Sequence, residues 1–110
     1  YKTYNDNRFQ LGMFEKEDWL YRVMMGKTLV FPKEMAKKKT TLTNAIDVSV
    51  AIKNLIGNQA AYGEAFHITT TESITWQNVL DIYIYFLQKS TGKHYKIKYI
   101  DNIEKVDYPF

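Results

Sequence analysis

The chain has 110 residues, of which 45% are hydrophobic and 25% charged; it carries a net charge of +3 and has no cysteine. This is the composition of one globular domain with a modest core, so a disordered chain is excluded. Disulfides, Cys-ligated zinc, iron–sulfur clusters and thiol nucleophiles are excluded too, and apolar runs such as 82–87 fall far short of the roughly 20 residues of a membrane span.

Taken in chain order, residues 1–10 are polar and aromatic, with Asn5-Asp6-Asn7 inside, and predict a loop. Residues 14–25 predict a helix. Trp19, Leu20, Val23 and Met24 stand at helical spacing, Glu15, Glu17 and Asp18 lead it, and Gly26 suits its C-cap. A short apolar run at 28–31 stops at Pro32 and predicts a strand. The lysine-rich stretch 32–39 predicts a polar loop, and 40–43 an extended segment.

Asn44 reads as an N-cap with Asp47 three residues on, a capping-box-like pair. The helix it opens carries Ile46, Val50, Ile52, Leu55 and Ile56 and stops at Gly57. After a turn at 58–63, residues 64–70 predict a strand with Phe66 and Ile68 on one face and His67 on the other.

The strongest helix signal follows. Thr75 is its N-cap, and Trp76, Val79, Leu80, Tyr83 and Leu87 share one face. Ser90–Gly92 marks its end. Residues 95–100 alternate Tyr95, Ile97 and Tyr99 with Lys96, Lys98 and Ile100, an edge-strand pattern with lysines toward water. The expected fold class is therefore α/β, a small α+β unit of three helices and three to four short strands.

Few residues carry chemistry by themselves. Tyr85 and Lys89 form a Tyr-x-x-x-Lys pair, one helical turn apart, a spacing that suits a Tyr general acid/base. No glycine-rich phosphate loop precedes them, and packing with a solvated lysine is the preferred reading. His67 and His94 stand on different elements with no carboxylate at metal-ligand spacing, so no metal site is expected and His67 reads as structural. Lys33, Lys37, Lys38 and Lys39 cluster in one loop. With no aromatic among them they read as a solvated surface rather than a nucleic-acid platform. No phosphate-loop, dinucleotide or nucleophile-elbow motif occurs.

Five segments, taken together, resemble the extended short-chain dehydrogenases, the NAD-dependent epimerase/dehydratase family. Tyr4-Asn5-Asp6-Asn7-Arg8 resembles that family's loop after an Arg-Pro strand end. Gly26-Lys27-Thr28-Leu29-Val30-Phe31 looks like its Gly-x-x-Leu-x-(Phe/Tyr) strand. Thr41-Leu42-Thr43-Asn44-Ala45-Ile46-Asp47-Val48-Ser49-Val50-Ala51-Ile52 looks like its Val-Asp-Asp-Val-Ala segment. Gly63-Glu64-Ala65-Phe66-His67-Ile68-Thr69 and Glu72-Ser73-Ile74-Thr75-Trp76 are similar to its Gly-Glu-x-(Phe/Tyr)-(Asn/His)-Ile and Ser-x-Thr-Trp segments. The likeness covers about residues 4 to 100 in the family's order.

The resemblance implies that residues 1–110 are the C-terminal, substrate-binding lobe of a nucleotide-sugar epimerase or dehydratase. The Rossmann domain with NAD and the catalytic Tyr-x-x-x-Lys would then lie upstream, in keeping with a start at Tyr1. This chain would bind no cofactor itself, would be inactive alone, and would expose an apolar patch where that domain sits, as a monomer. Carried over by position, the expected substrate-binding residues are Arg8, Leu29, Val30, Phe31, Lys39 and Thr40. Arg8 falls near the sugar nucleotide, and 29–31 lie along the base. Asp47 matches the second Asp of Val-Asp-Asp. Two departures stand out. Thr40, with Lys39 beside it, stands where an arginine clamps the diphosphate, and a lysine is a point charge rather than a fork. Ile46 replaces the first Asp. The expected partners are a nucleotide sugar and the Rossmann domain, with no nucleic acid and no membrane, in the cytoplasm. The alternative is a stand-alone interaction module that uses the loop from Lys33 to Lys39 against an acidic partner.

Overall fold

A computed structural model describes residues 10–12 and 14–101. These form a small α+β unit of four α-helices, a single 3₁₀ turn and four short strands. Helix α1 is Lys16–Met24; strand β1, Leu29–Pro32; α2, Lys33–Lys37; β2, Lys39–Thr40; α3, Ala45–Leu55; β3, Ile74–Thr75; α4, Trp76–Thr91; and β4, Ile97–Ile100. The 3₁₀ turn is Gln59–Ala61.

The strands make two separate two-stranded sheets. β1 runs parallel to β4 in the register Leu29–Ile97, Val30–Lys98, Phe31–Tyr99 and Pro32–Ile100. β2 runs antiparallel to β3, with Lys39 opposite Thr75 and Thr40 opposite Ile74. Because β3 runs directly into α4, this second ribbon holds the start of α4, and the Trp76 amide donates to the Lys38 carbonyl at 3.0 Å.

The caps follow local chemistry. Glu15 caps α1 in a reciprocal box with Asp18, whose carboxylate accepts from the Glu15 amide at 3.2 Å. The Asn44 side chain accepts from the Ile46 amide at 2.8 Å. The expected pairing of Asn44 with Asp47 is therefore replaced by a bond one residue earlier. The Thr75 hydroxyl accepts from the Asn78 amide, and Gly92 closes α4 in the left-handed conformation that glycine alone adopts without cost.

The core lies between α1, β1, α2 and α4. It holds Leu11, Trp19, Val23, Leu29, Phe31, Met35, Ala36, Trp76, Val79 and Leu80. Trp19 stacks on Tyr83 with ring centroids 4.9 Å apart, and the Tyr83 hydroxyl donates to the Gln10 carbonyl. The predicted buried stripe of α4 is the one that packs: Trp76, Val79 and Leu80 are buried, and Tyr83 and Leu87 rest against the same cluster.

Two expected elements differ. The lysine-rich stretch is a helix, α2, rather than a loop, because Met35 and Ala36 bury while the charges around them stay in water. Glu34 in its first turn and Lys37 in its last also suit the helix dipole. Residues 64–70 form no strand. Their alternation has no ladder to join, and Phe66, expected on a packed face, is 53% exposed. No helix among the described residues is long and apolar enough to cross a membrane.

Candidate functional site

Of the six residues that the resemblance singles out, Arg8 lies outside the described residues. Leu29 and Phe31 alternate inward along β1 and are buried in the core, Phe31 completely. Their side chains form the wall behind the strand and present no atom to a ligand. Val30, between them, turns outward and is 43% exposed. On the same outer face its register partner is Lys98, also exposed. A ligand along β1 would therefore meet Val30 and Lys98 rather than the aromatic ring of Phe31. Tyr99, opposite Phe31, packs edge-on against that ring at 6.3 Å.

Lys39 and Thr40 stand on the second ribbon, at the foot of α4. Lys39 is exposed, Thr40 half-buried. The fold thus divides the expected site residues between two sheets, with α2 as the link. It brings Lys39 beside Thr75 and Val30 beside Lys98, and it does not join these two groups in a ladder.

Sequence reasoning missed the polar contacts that tie β4 to the rest. The Gln77 amide donates to the Asp81 carboxylate and to the Tyr99 hydroxyl, both at 2.8 Å, which fastens α4 to β4. The Lys33 ammonium meets the Asp101 carboxylate at 2.7 Å, joining the start of α2 to the end of β4. The separations in sequence are 22 and 68 residues, beyond any local signal.

The lysine cluster is weaker as a cation surface than its spacing suggests. Lys33 is paired with Asp101, and Lys37 lies 3.6 Å from Glu34 within α2. Lys38 and Lys39 are the exposed members that form no ion pair among the described residues. Tyr85 and Lys89 lie on the side of α4 opposite its core stripe, and both are exposed. Tyr85, expected to pack, is 58% exposed and touches only the edge of the Phe86 ring among its ring contacts. His67 and His94 are exposed, and His67 stands on the irregular segment rather than on a strand. No group of three or more His, Asp or Glu placed to hold a metal occurs among the described residues.

A shallow apolar groove of about 320 Å³ lies elsewhere, along α3, lined by Ala45, Ile46, Ser49, Val50 and Lys53. Helix α3 has no buried residue. Ile46 is 69% exposed and Val50 52%. Asp47, the match to the family's acidic pair, is exposed on the same helix and caps nothing.

No family model matches the chain, and neither a curated protein nor a solved structure does.

Proposed function

We propose that this chain is the substrate-binding lobe of an NAD-dependent nucleotide-sugar epimerase or dehydratase of the extended short-chain dehydrogenase kind. One observation carries the reading: three of the resembling segments take up coherent structure in the family's order. Gly26 through Phe31 leads into β1, Asn44 opens α3 inside the Val-Asp-Asp-like segment, and the Ser-x-Thr-Trp-like segment forms β3 and the first residue of α4. The Gly63–Thr69 segment gives no such support, since it is irregular.

In this reading the lobe supplies grip and the absent Rossmann domain supplies NAD and the catalytic Tyr and Lys. Val30 offers an apolar contact to a base. Lys39 offers a point charge to a diphosphate where the family has an arginine, and Thr40 a hydroxyl. Arg8 completes the expected set. The chain alone has no turnover, because the groups that move hydride and proton lie outside it. The stand-alone interaction reading is the weaker one, since two of its four lysines stand beside carboxylates of the same chain that an acidic partner would have to displace.

Calorimetric titration of the chain with UDP-, dTDP- and GDP-sugars, with NAD as control, tests the proposal. Heat from one nucleotide class and none from NAD is expected, with Lys39→Gln weakening that binding about five-fold, an exposed charge being worth about 1 kcal/mol. Tight binding of NAD, or turnover by the chain alone, overturns it.

A further inference from the structure

Independently of the nucleotide-sugar reading, we infer that the end of the molecule where β1 and β4 begin is a contact surface for an anionic lipid membrane. The placement follows from topology. β1 and β4 are parallel, with Leu29 opposite Ile97 at their starts, and the Leu29 amide donates to the Lys96 carbonyl at 2.8 Å. Each strand is entered from a helix a few residues earlier, β1 from α1 and β4 from α4. The turns 25–28 and 92–96 therefore stand side by side. They are built alike: each helix runs out at a glycine of positive φ, Gly26 or Gly92, and a lysine follows at once, Lys27 or Lys93. A Cβ at either glycine would meet nothing within 4 Å, so both tips are open.

Charge is segregated to this end. Arg22 and Lys89 lie in the last turns of α1 and α4, and Lys27, Lys93 and Lys96 lie past them. All five are exposed, and none forms an ion pair among the described residues. No Asp or Glu occurs from 19 to 33 or from 82 to 100. The described carboxylates gather elsewhere. Glu15, Glu17 and Asp18 stand at the start of α1, and Asp81 is bonded to Gln77 in the first half of α4. Glu34 and Asp101 lie past the far ends of β1 and β4, and Asp47, Glu64 and Glu72 lie on the excursion between β2 and β3. Two helix C-termini supply about half a negative charge each. Five cations exceed that, so this end keeps a positive field. The second sign is apolar. Met24 and Met25, between Arg22 and Lys27, are each more than half exposed and add nothing to the core. Against a bilayer these flexible side chains enter the interface while the lysines meet the headgroups. A flat surface reaches both tips together, and lysines, as point charges, suit headgroups in no fixed arrangement. A nucleic acid fits less well. Tyr95, the phenol at these turns, is half-buried with its hydroxyl 2.7 Å from that of Thr91, which leaves methionines rather than a stacking tyrosine in the open. The sequence excludes a membrane span, and no helix among the described residues could form one; surface contact needs none.

Co-sedimentation of the chain with vesicles of phosphatidylcholine containing about 30% phosphatidylserine tests this, with pure phosphatidylcholine vesicles beside them. Binding to the anionic vesicles alone is expected, falling steeply as salt rises from about 0.05 to 0.5 M. Lys27→Gln with Lys93→Gln, one lysine from each turn, should weaken it about 25-fold, at about five-fold per charge. Lys37→Gln with Lys38→Gln removes the same charge near the start of α4, where the Lys38 carbonyl meets the Trp76 amide. That helix has 16 residues, about 24 Å of length, so this control should change binding less than about two-fold. Met24→Ser with Met25→Ser should weaken binding about ten-fold and leave its salt dependence unchanged. Every variant alters exposed side chains, so circular dichroism should match that of the parent. Equal binding to both kinds of vesicle, binding to neither, an equal loss from the two lysine variants, or indifference to the methionines overturns the inference. So does release from the vesicles by a single-stranded oligonucleotide at equal phosphate concentration, which would make the surface one for nucleic acid. None of these variants touches Val30, Lys39 or Thr40, so nucleotide-sugar binding succeeds or fails separately.

Discussion

Gly12 shows how a single residue is held by a distant one. Its φ is +62°, and a Cβ added there would fall on the Met35 thioether, a side chain 23 positions away that is itself buried. Backbone conformation and space therefore both demand glycine. Gly12→Ala should destabilise the fold by about 2 kcal/mol, from left-handed strain together with overpacking, and lower the melting temperature by roughly 10 °C in a thermal scan. The four other positive-φ glycines have open space where a Cβ would go. The resemblance singled out Leu29, Val30 and Phe31 together, and only their alternation on a strand decides that Val30 faces out. That alternation was legible. Which face would be covered was not, because it depends on α1 and α4 arriving from either side.

At the scale of elements, α3 and α4 are both well capped and rich in apolar residues, yet only α4 enters the core. The contrast is measurable. Leu80→Ala, at a fully buried site, should cost about 3 to 4 kcal/mol in a denaturant titration. Val50→Ala should stay within about 0.5 kcal/mol of the parent, since Val50 is 52% exposed. Helix ends were readable because capping is local: Asn44, Thr75 and Gly92 act on backbone groups within four residues. The stretch 33–37 misled because its lysines suggest a solvated loop, whereas two apolar residues, Met35 and Ala36, were enough to seat one helical turn on the core. Residues 64–70 misled in the opposite sense. Their period-2 pattern is real, but a strand exists only when another strand accepts its amides.

For the whole molecule, stability is uneven. The core joins α1, β1, α2 and α4, and the ribbon of β1 and β4 is fastened by Gln77–Tyr99 and Lys33–Asp101. The excursion from Ala45 to Thr70 shares none of this; the Thr70 amide to Thr43 hydroxyl bond at 3.2 Å ties its ends together. In native-state hydrogen exchange under dilute conditions, the amides of α3 should exchange well before those of α4, with α4 tracking global unfolding. Equal protection in the two helices would show that α3 is as well anchored as the core. What the sequence by itself determined is the class of molecule and its local grammar: a cysteine-free α+β unit, three of its four helices, the capping residues Asn44, Thr75 and Gly92, and the buried stripe of α4. All of these rest on composition, periodicity and contacts within a few residues. Tertiary structure alone decided that β1 pairs with β4 across 68 positions, that Lys33 pairs with Asp101, that Val30 and Lys39 stand on different sheets, and that α3 adds no residue to the core. Each of those depends on which surfaces meet in space, and a pattern that repeats every two or every 3.6 residues carries no record of that.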